Sequence, residues 1–104
     1  MTLTFKVYSL QSFIDKSFGL LRFAKPQPVY LQTRFGIHTF FMRYSIDVLI
    51  LDKDNKVTRL KENLKPNRIF VWPVIFNQVI EFPNGEIKKR KIKLGDRIIT
   101  SLKS

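Results

Sequence analysis

Residues Gly36–Asp54 read GIHTFFMRYSIDVLILDKD, and the fold turns on how this stretch is understood. Apolar and β-branched side chains dominate it, which favours buried strand over helix. Into that setting it places the chain's only histidine, His38, and, inside the apolar run Ile46–Leu51, a lone carboxylate, Asp47. A carboxylate inside an apolar strand must be hydrogen-bonded, paired or neutralised. The simplest arrangement is a hairpin, Ile37–Met42 against Ile46–Leu51, turning at Arg43-Tyr44-Ser45. In that register Met42 opposes Ile46, Phe40 opposes Val48 and His38 opposes Ile50. On the other face Phe41 opposes Asp47, with Thr39 a diagonal step away. Thr39 and Asp47 then make either the polar floor of a cleft or a satisfied structural pair, with Asp47 accepting from Thr39, backbone amides or Arg43. A change of one residue in the loop would reverse which side chains share a face.

Outward from this stretch, Leu3, Phe5 and Val7 alternate with Thr4, Lys6 and Tyr8, the period of a half-buried strand. Leu10, Phe13, Ile14, Phe18 and Leu21 recur at three- and four-residue spacing, which predicts one short helix with Ser9 as its N-cap. Lys25-Pro26-Gln27-Pro28 ends it, because each proline disfavours helix at the residue before. Downstream, Val29–Gln32, Lys56–Lys61, Ile69–Trp72, Val74–Phe82, Glu86–Lys93 and Arg97–Leu102 read as strands. Asp54-Asn55, Lys65-Pro66-Asn67, Pro83-Asn84-Gly85 and Gly95-Asp96 supply turn chemistry between them. Glu81 alternates with Ile80 and Phe82, so its side chain is expected on the exposed side. The expected fold is mainly β: a compact antiparallel β-sandwich or barrel-like domain with one short N-terminal helix, a single domain over residues 1–104.

Composition narrows the function classes. A chain of 104 residues with 44% hydrophobic content and 10 Phe can bury one core. The absence of cysteine removes disulfides, thiolate zinc sites and thiol nucleophiles together. No basic segment leads into an unbroken apolar run, and no run approaches the roughly 20 residues of a membrane span. The expectation is a cytoplasmic protein without a membrane span. A net charge of +11 either keeps a small lysine-rich domain soluble or favours polyanionic partners. Its densest feature is Lys88-Lys89-Arg90-Lys91-Ile92-Lys93. As a strand this run suits a solvated edge that resists pairing. Alternatively Lys88, Lys89, Arg90, Lys91 and Lys93 track the phosphates of nucleic acid, with Tyr30, Phe70 or Trp72 stacking on bases.

The order of the motifs carries a resemblance. His38-Thr39-Phe40-Phe41-Met42, then Ile46-Asp47 and an apolar strand ending in Asp52-Lys53-Asp54, is similar to the signature of the domain of unknown function 192 family. Phe18-Gly19-Leu20-Leu21 with Arg22 resembles that family's early Gly-Leu motif. Leu64-Lys65-Pro66-Asn67-Arg68 resembles its Lys-Pro-Trp-Arg loop, with Asn67 in place of Trp. Val79-Ile80-Glu81-Phe82-Pro83-Asn84-Gly85 and Leu94-Gly95-Asp96 resemble its Val-Leu-Glu-Leu-Pro-Ala-Gly and closing Gly-Asp. The likeness covers about residues 17–98 and implies a small β-rich domain. Some relatives carry Cys or Asn just ahead of the Ile-His-Thr segment, where this chain has Thr33-Arg34-Phe35-Gly36, and the family implies no activity.

His38 is the one side chain that ordinarily titrates near neutrality. A nucleophile elbow, an oxyanion loop and a phosphate-binding glycine loop are all missing. Zinc would need His38 with at least two of Asp47, Glu81 and Asp96, and their spacing gives no such pattern. No catalytic residue, metal site or cofactor is therefore assigned. Asp96, after Gly95, is explained by turn chemistry or by a place beside the cleft. The leading expectation is a non-enzymatic binding or accessory domain with a cleft near His38, Thr39, Met42, Asp47 and Asp96. Its partner is an unidentified small ligand or protein, and no oligomeric state is implied. Nucleic-acid or polyanion binding through Lys88–Lys93 comes second, and a hydrolase using His38 and Asp47 third.

Overall fold

The structure, a computed structural model, describes residues 1–10, 27–40 and 42–102. Along these residues run β1 (Thr2–Leu10), β2 (Val29–Gln32), β3 (Gly36–His38), β4 (Ile46–Leu51), β5 (Val57–Leu64), β6 (Ile69–Val71), β7 (Gln78–Pro83), the short helix α1 (Glu86–Lys89) and β8 (Arg97–Leu102). Six strands form one sheet in the order β5-β4-β7-β2-β1-β8, and β3 pairs with β6 in a separate two-stranded ribbon. The domain is mainly β, as the sequence suggests. Ser9, expected as the N-cap of an N-terminal helix, and Leu10, expected as its first apolar residue, instead end the strand β1; the rest of that helix, to Leu21, lies outside the described residues.

One expectation about the sheet is corrected and another is narrowed. It is mixed, not antiparallel, because β1 runs parallel to both of its neighbours, β2 and β8. Parallel neighbours in sequence need a long crossover, and residues 11–28 supply the length between β1 and β2. The sheet is one layer curled into a half-barrel, which agrees with the barrel-like one of the two expected architectures rather than the sandwich. Its edge strands meet at one end, where Lys56 bridges Arg97. There the Val57 amide donates to the Asp96 carbonyl, Gly95 to Val57 and Ile98 to Asn55.

Every residue of β4 is buried, because both faces of the sheet are covered. Ile46, Val48 and Ile50 pack with Val29, Leu31, Val79, Leu64 and Trp72 on one side. Leu49 and Leu51 pack with Ile80, Phe82, Val57 and Ile98 on the other, inside the curl. Each such side chain contributes about 1.5–3 kcal/mol of burial. A strand covered on both faces reads as a continuous apolar run rather than an alternation. That is the look of Ile46–Leu51, and it is why Asp47 had to lie inside.

The expected hairpin between Ile37–Met42 and Ile46–Leu51 does not form. Both edges of β4 are taken, by β5 and by β7. Instead β3 pairs with β6, placing Ile37 opposite Phe70 and His38 opposite Ile69. Ile37, Phe70 and Trp72 cover the outer side of the sheet.

Glu86–Lys93 is not a strand. Gly85 turns the chain at φ 96° and α1 follows. Lys91 then adopts the left-handed conformation at φ 56°. The Ile92 amide reaches back to the Ile87 carbonyl at 3.0 Å and the Lys91 amide to Lys88 at 3.2 Å, closing the helix C-terminus. Ile87 and Ile92 are both buried in the same cluster. Five positions apart, they would face opposite sides of a strand, whereas this closed turn brings them together.

Candidate functional site

Asp47 is fully buried, and its carboxylate is saturated by backbone amides. Oδ1 accepts from the Asn63 amide at 2.9 Å. Oδ2 accepts from Gly85 and Ile87, both at 3.0 Å. One side chain thereby ties β4 to the end of β5 and to the first turn of α1, where negative charge is favoured by the exposed amides. In the register Asp47 opposes Phe82, and Phe41, expected across from it, lies outside the described residues.

Thr39 is also fully buried and makes a second, separate knot. Its hydroxyl donates to the Lys65 carbonyl at 2.6 Å and accepts from the Arg68 amide at 2.9 Å. Its backbone amide donates to the Arg68 carbonyl, and its carbonyl accepts from Asn67 and Met42. Thr39 therefore clamps the Lys65–Arg68 loop. Asn67 takes a positive φ of 61° within it, a conformation asparagine tolerates. No hydrogen bond joins Thr39 to Asp47.

His38 is half-buried and stacks on Phe40, with ring centroids 4.9 Å apart. Its Nδ1 accepts from the Phe40 amide at 3.3 Å. Met42 is buried in the outer cluster. Asp96 sits at the closure of the half-barrel, accepting from the Lys93 amide at 2.9 Å and from the Met1 ammonium at 3.2 Å. The Lys93 hydrogen bond holds its carboxyl below the ordinary range, against a smaller opposing effect of burial. The five residues thus occupy several sites, with Thr39 beside His38 and Met42, while Asp47 and Asp96 each serve other backbone turns.

Sequence reasoning missed two features. Glu81 is buried, at 4% exposure, in the central strand β7 between Val29 of β2 and Val48 of β4. Its alternation with Ile80 and Phe82 was real, but the opposite face is covered too. Burial, reinforced by the charge of Glu81, pushes the Tyr44 hydroxyl above its ordinary pKa. The glutamate in the resembling Val-Leu-Glu-Leu-Pro motif was the signal available.

The second feature is a depression of about 370 Å³ lined by Lys61, Asn63, Leu64, Lys65, Arg68 and Ile69. It lies against the loop that Thr39 clamps. The Arg68 guanidinium reaches back over the loop to the carbonyls of Pro66 and Asn67, at 3.4 and 3.3 Å. A second depression, of about 280 Å³, mixes charges, with Lys6 and Arg90 beside Glu86. There Arg90 is already held by Glu86 at 2.7 Å and lies over the Phe5 ring. Lys88, Lys89, Lys91 and Lys93 are exposed around α1. The aromatics expected to stack on bases are otherwise engaged: Trp72 is buried and donates to the Phe76 carbonyl, Phe70 packs on the core, and the Tyr30 hydroxyl donates to Gln78.

The model of the domain of unknown function 192 family, described as an uncharacterized ACR, matches residues 13–100. The chain belongs to that family. Within it, a UPF0127 protein of Pyrococcus abyssi is 37% identical over 99 residues, covering 89% of this chain and 84% of the relative. A UPF0127 protein of Pyrococcus horikoshii is 36% identical over 94 residues, covering 84% of this chain and 80% of its own. A crystal structure of a protein of unknown function from Novosphingobium aromaticivorans shares the fold, with a TM-score of 0.67, 11% identity, and coverage of 84% of this chain and 69% of that one. Family membership accounts for the order of the motifs, and it brings no activity with it. No helix among the described residues is long and apolar enough to cross a membrane.

Proposed function

We propose that this chain is a small non-enzymatic binding domain that takes an anionic small molecule in the depression over the Thr39-clamped loop. One observation carries the reading: Lys61, Lys65 and Arg68 converge there around Asn63, and no acidic side chain is among the six lining residues. Like charges gathered in a concave surface repel one another and raise the local concentration of anions. A carboxylate or phosphate relieves that repulsion, and the planar fork of Arg68 suits either. Leu64 and Ile69 give an apolar flank for the rest of the ligand. The His-Thr-Phe-Phe-Met motif then acts indirectly, with Thr39 holding the loop that presents Lys65 and Arg68.

The alternatives have less support. A hydrolase would need His38 and Asp47 to act together, and both are occupied by backbone amides. For polyanion binding through Lys88–Lys93, α1 turns Ile87 and Ile92 inward and engages Arg90 with Glu86. The remaining lysines complement the negative C-terminal end of the helix.

Isothermal titration with inorganic pyrophosphate and with citrate tests the proposal. Saturable binding is expected, weakened tenfold or more in Lys65→Ala/Arg68→Ala. Thr39→Val should weaken it too, and Thr39→Ser should restore it. Absence of saturable binding, or equal affinity in the double variant, would sink the proposal. Loss of binding in Lys88→Ala/Lys89→Ala instead would move the function to α1.

A further inference from the structure

We propose that the outer face of the β3–β6 ribbon docks on an anionic lipid surface. Among the described residues nine large hydrophobic side chains are exposed, and six of them belong to this ribbon and its flanking turns. They are Phe35 (66% exposed), Phe40 (39%), Ile69 (66%), Val71 (67%), Val74 (45%) and Ile75 (75%). The register places them together. Val71 opposes Gly36 and Ile69 opposes His38, on which Phe40 stacks. The Arg34 guanidinium donates to the Val74 carbonyl at 2.6 Å, drawing the turn with Val74 and Ile75 to the start of β3. The inward residues of the same ribbon, Ile37 and Phe70, already serve the core, so the outward face is surplus to folding. Contiguous exposed apolar surface of this kind marks an interaction site.

Charge selects the occupant. Residues 33–45 and 65–77, which build the ribbon and its turns, contain Arg34, Arg43, Lys65 and Arg68 and not one Asp or Glu. A second copy would set these cations against themselves on a chain of net charge +11. Nucleic acid fits poorly, because four of the six side chains are aliphatic and offer no ring for a base to stack on. Aliphatic and phenyl side chains bordered by Arg and Lys match the boundary between acyl chains and anionic headgroups, where each part meets its own solvent. Of the six, Ile69 alone also borders the depression described above, so docking stands apart from that site's ligand.

Flotation with vesicles of phosphatidylcholine alone, and of phosphatidylcholine and phosphatidylserine in equal parts, tests the proposal. Binding is expected to the phosphatidylserine vesicles and not to the neutral ones. Val71→Thr/Ile75→Ser, which spares every residue of the depression, should weaken binding about tenfold or more, since lipid affinity follows buried apolar surface. Circular dichroism and pyrophosphate titration on the same variant show whether the fold and the depression are intact. A folded variant that binds these vesicles as the parent does would overturn the proposal. So would full displacement of the parent by soluble glycerophosphoserine or polyglutamate, which would show the cations acting alone. A self-associated parent that binds neither vesicle would assign the face to a second copy.

Discussion

Replacing Asp47 by Asn alters one atom of a fully buried side chain, and the structure gives that change a large effect. The carboxylate accepts three backbone amides, from Asn63 at 2.9 Å and from Gly85 and Ile87 at 3.0 Å. Hydrogen bonds to a charged group contribute about 1.5–3 kcal/mol each. An asparagine retains one oxygen, best aimed at the Gly85–Ile87 pair. Its amide group then meets the Asn63 amide donor to donor, so one bond is lost outright. The other two become neutral and roughly half as strong. A neutral amide is easier to bury than a carboxylate, which returns part of the loss. The net destabilisation expected is about 2–4 kcal/mol, or roughly 10–25 °C in melting temperature for a domain of this size. Urea unfolding followed by circular dichroism measures it, with the slope against denaturant unchanged. A variant within about 0.5 kcal/mol of the parent, the usual range for inert surface changes, would refute the structural role. Asp47 would then be available to a ligand.

Three further outcomes follow from the same geometry. Gly36→Ala places a Cβ 2.6 Å from the Phe70 carbonyl oxygen, so the β3–β6 ribbon must shift, at a cost of about 1–3 kcal/mol in unfolding free energy. Lys91→Gly relieves a left-handed lysine at φ 56°, and denaturant titration should show stabilisation by about 1 kcal/mol. Asp96 has a folded-state pKa below its ordinary 3.8, so its contribution is complete above that value and is lost as pH falls through the lowered one. Stability curves of the parent and Asp96→Asn should differ at neutral pH and converge in acid. A constant gap down to low pH would contradict the assignment.

How much of this was legible depended on what each residue answers to. Val29–Gln32, Ile46–Leu51 and Arg97–Leu102 match β2, β4 and β8 because their patterns report local burial. The partner of β3 was not legible. Ile37 is apolar whichever strand lies beside it, and the choice of β6 follows from β5 and β7 occupying both edges of β4. Glu86–Lys93 misled because its charges mask a spacing signal: Ile87 and Ile92 lie an odd number of residues apart, so no single strand face holds both. Asp47 was recognisable as a buried carboxylate needing partners. That those partners were the amides of Asn63, Gly85 and Ile87 depended on segments 16 to 40 residues away. The depression was hidden for the same reason, since Lys61, Lys65 and Arg68 look like ordinary solvated charges until the Thr39 clamp folds their loop back.

The proposal that the motif builds an anion site rather than a catalytic one is tested most directly by a nuclear magnetic resonance titration of the backbone amides with inorganic pyrophosphate. The account predicts saturable shifts at Lys61, Asn63, Lys65, Arg68 and Ile69, abolished in Lys65→Ala/Arg68→Ala. Shifts confined to Lys88–Lys93, or shifts that never saturate, would contradict it.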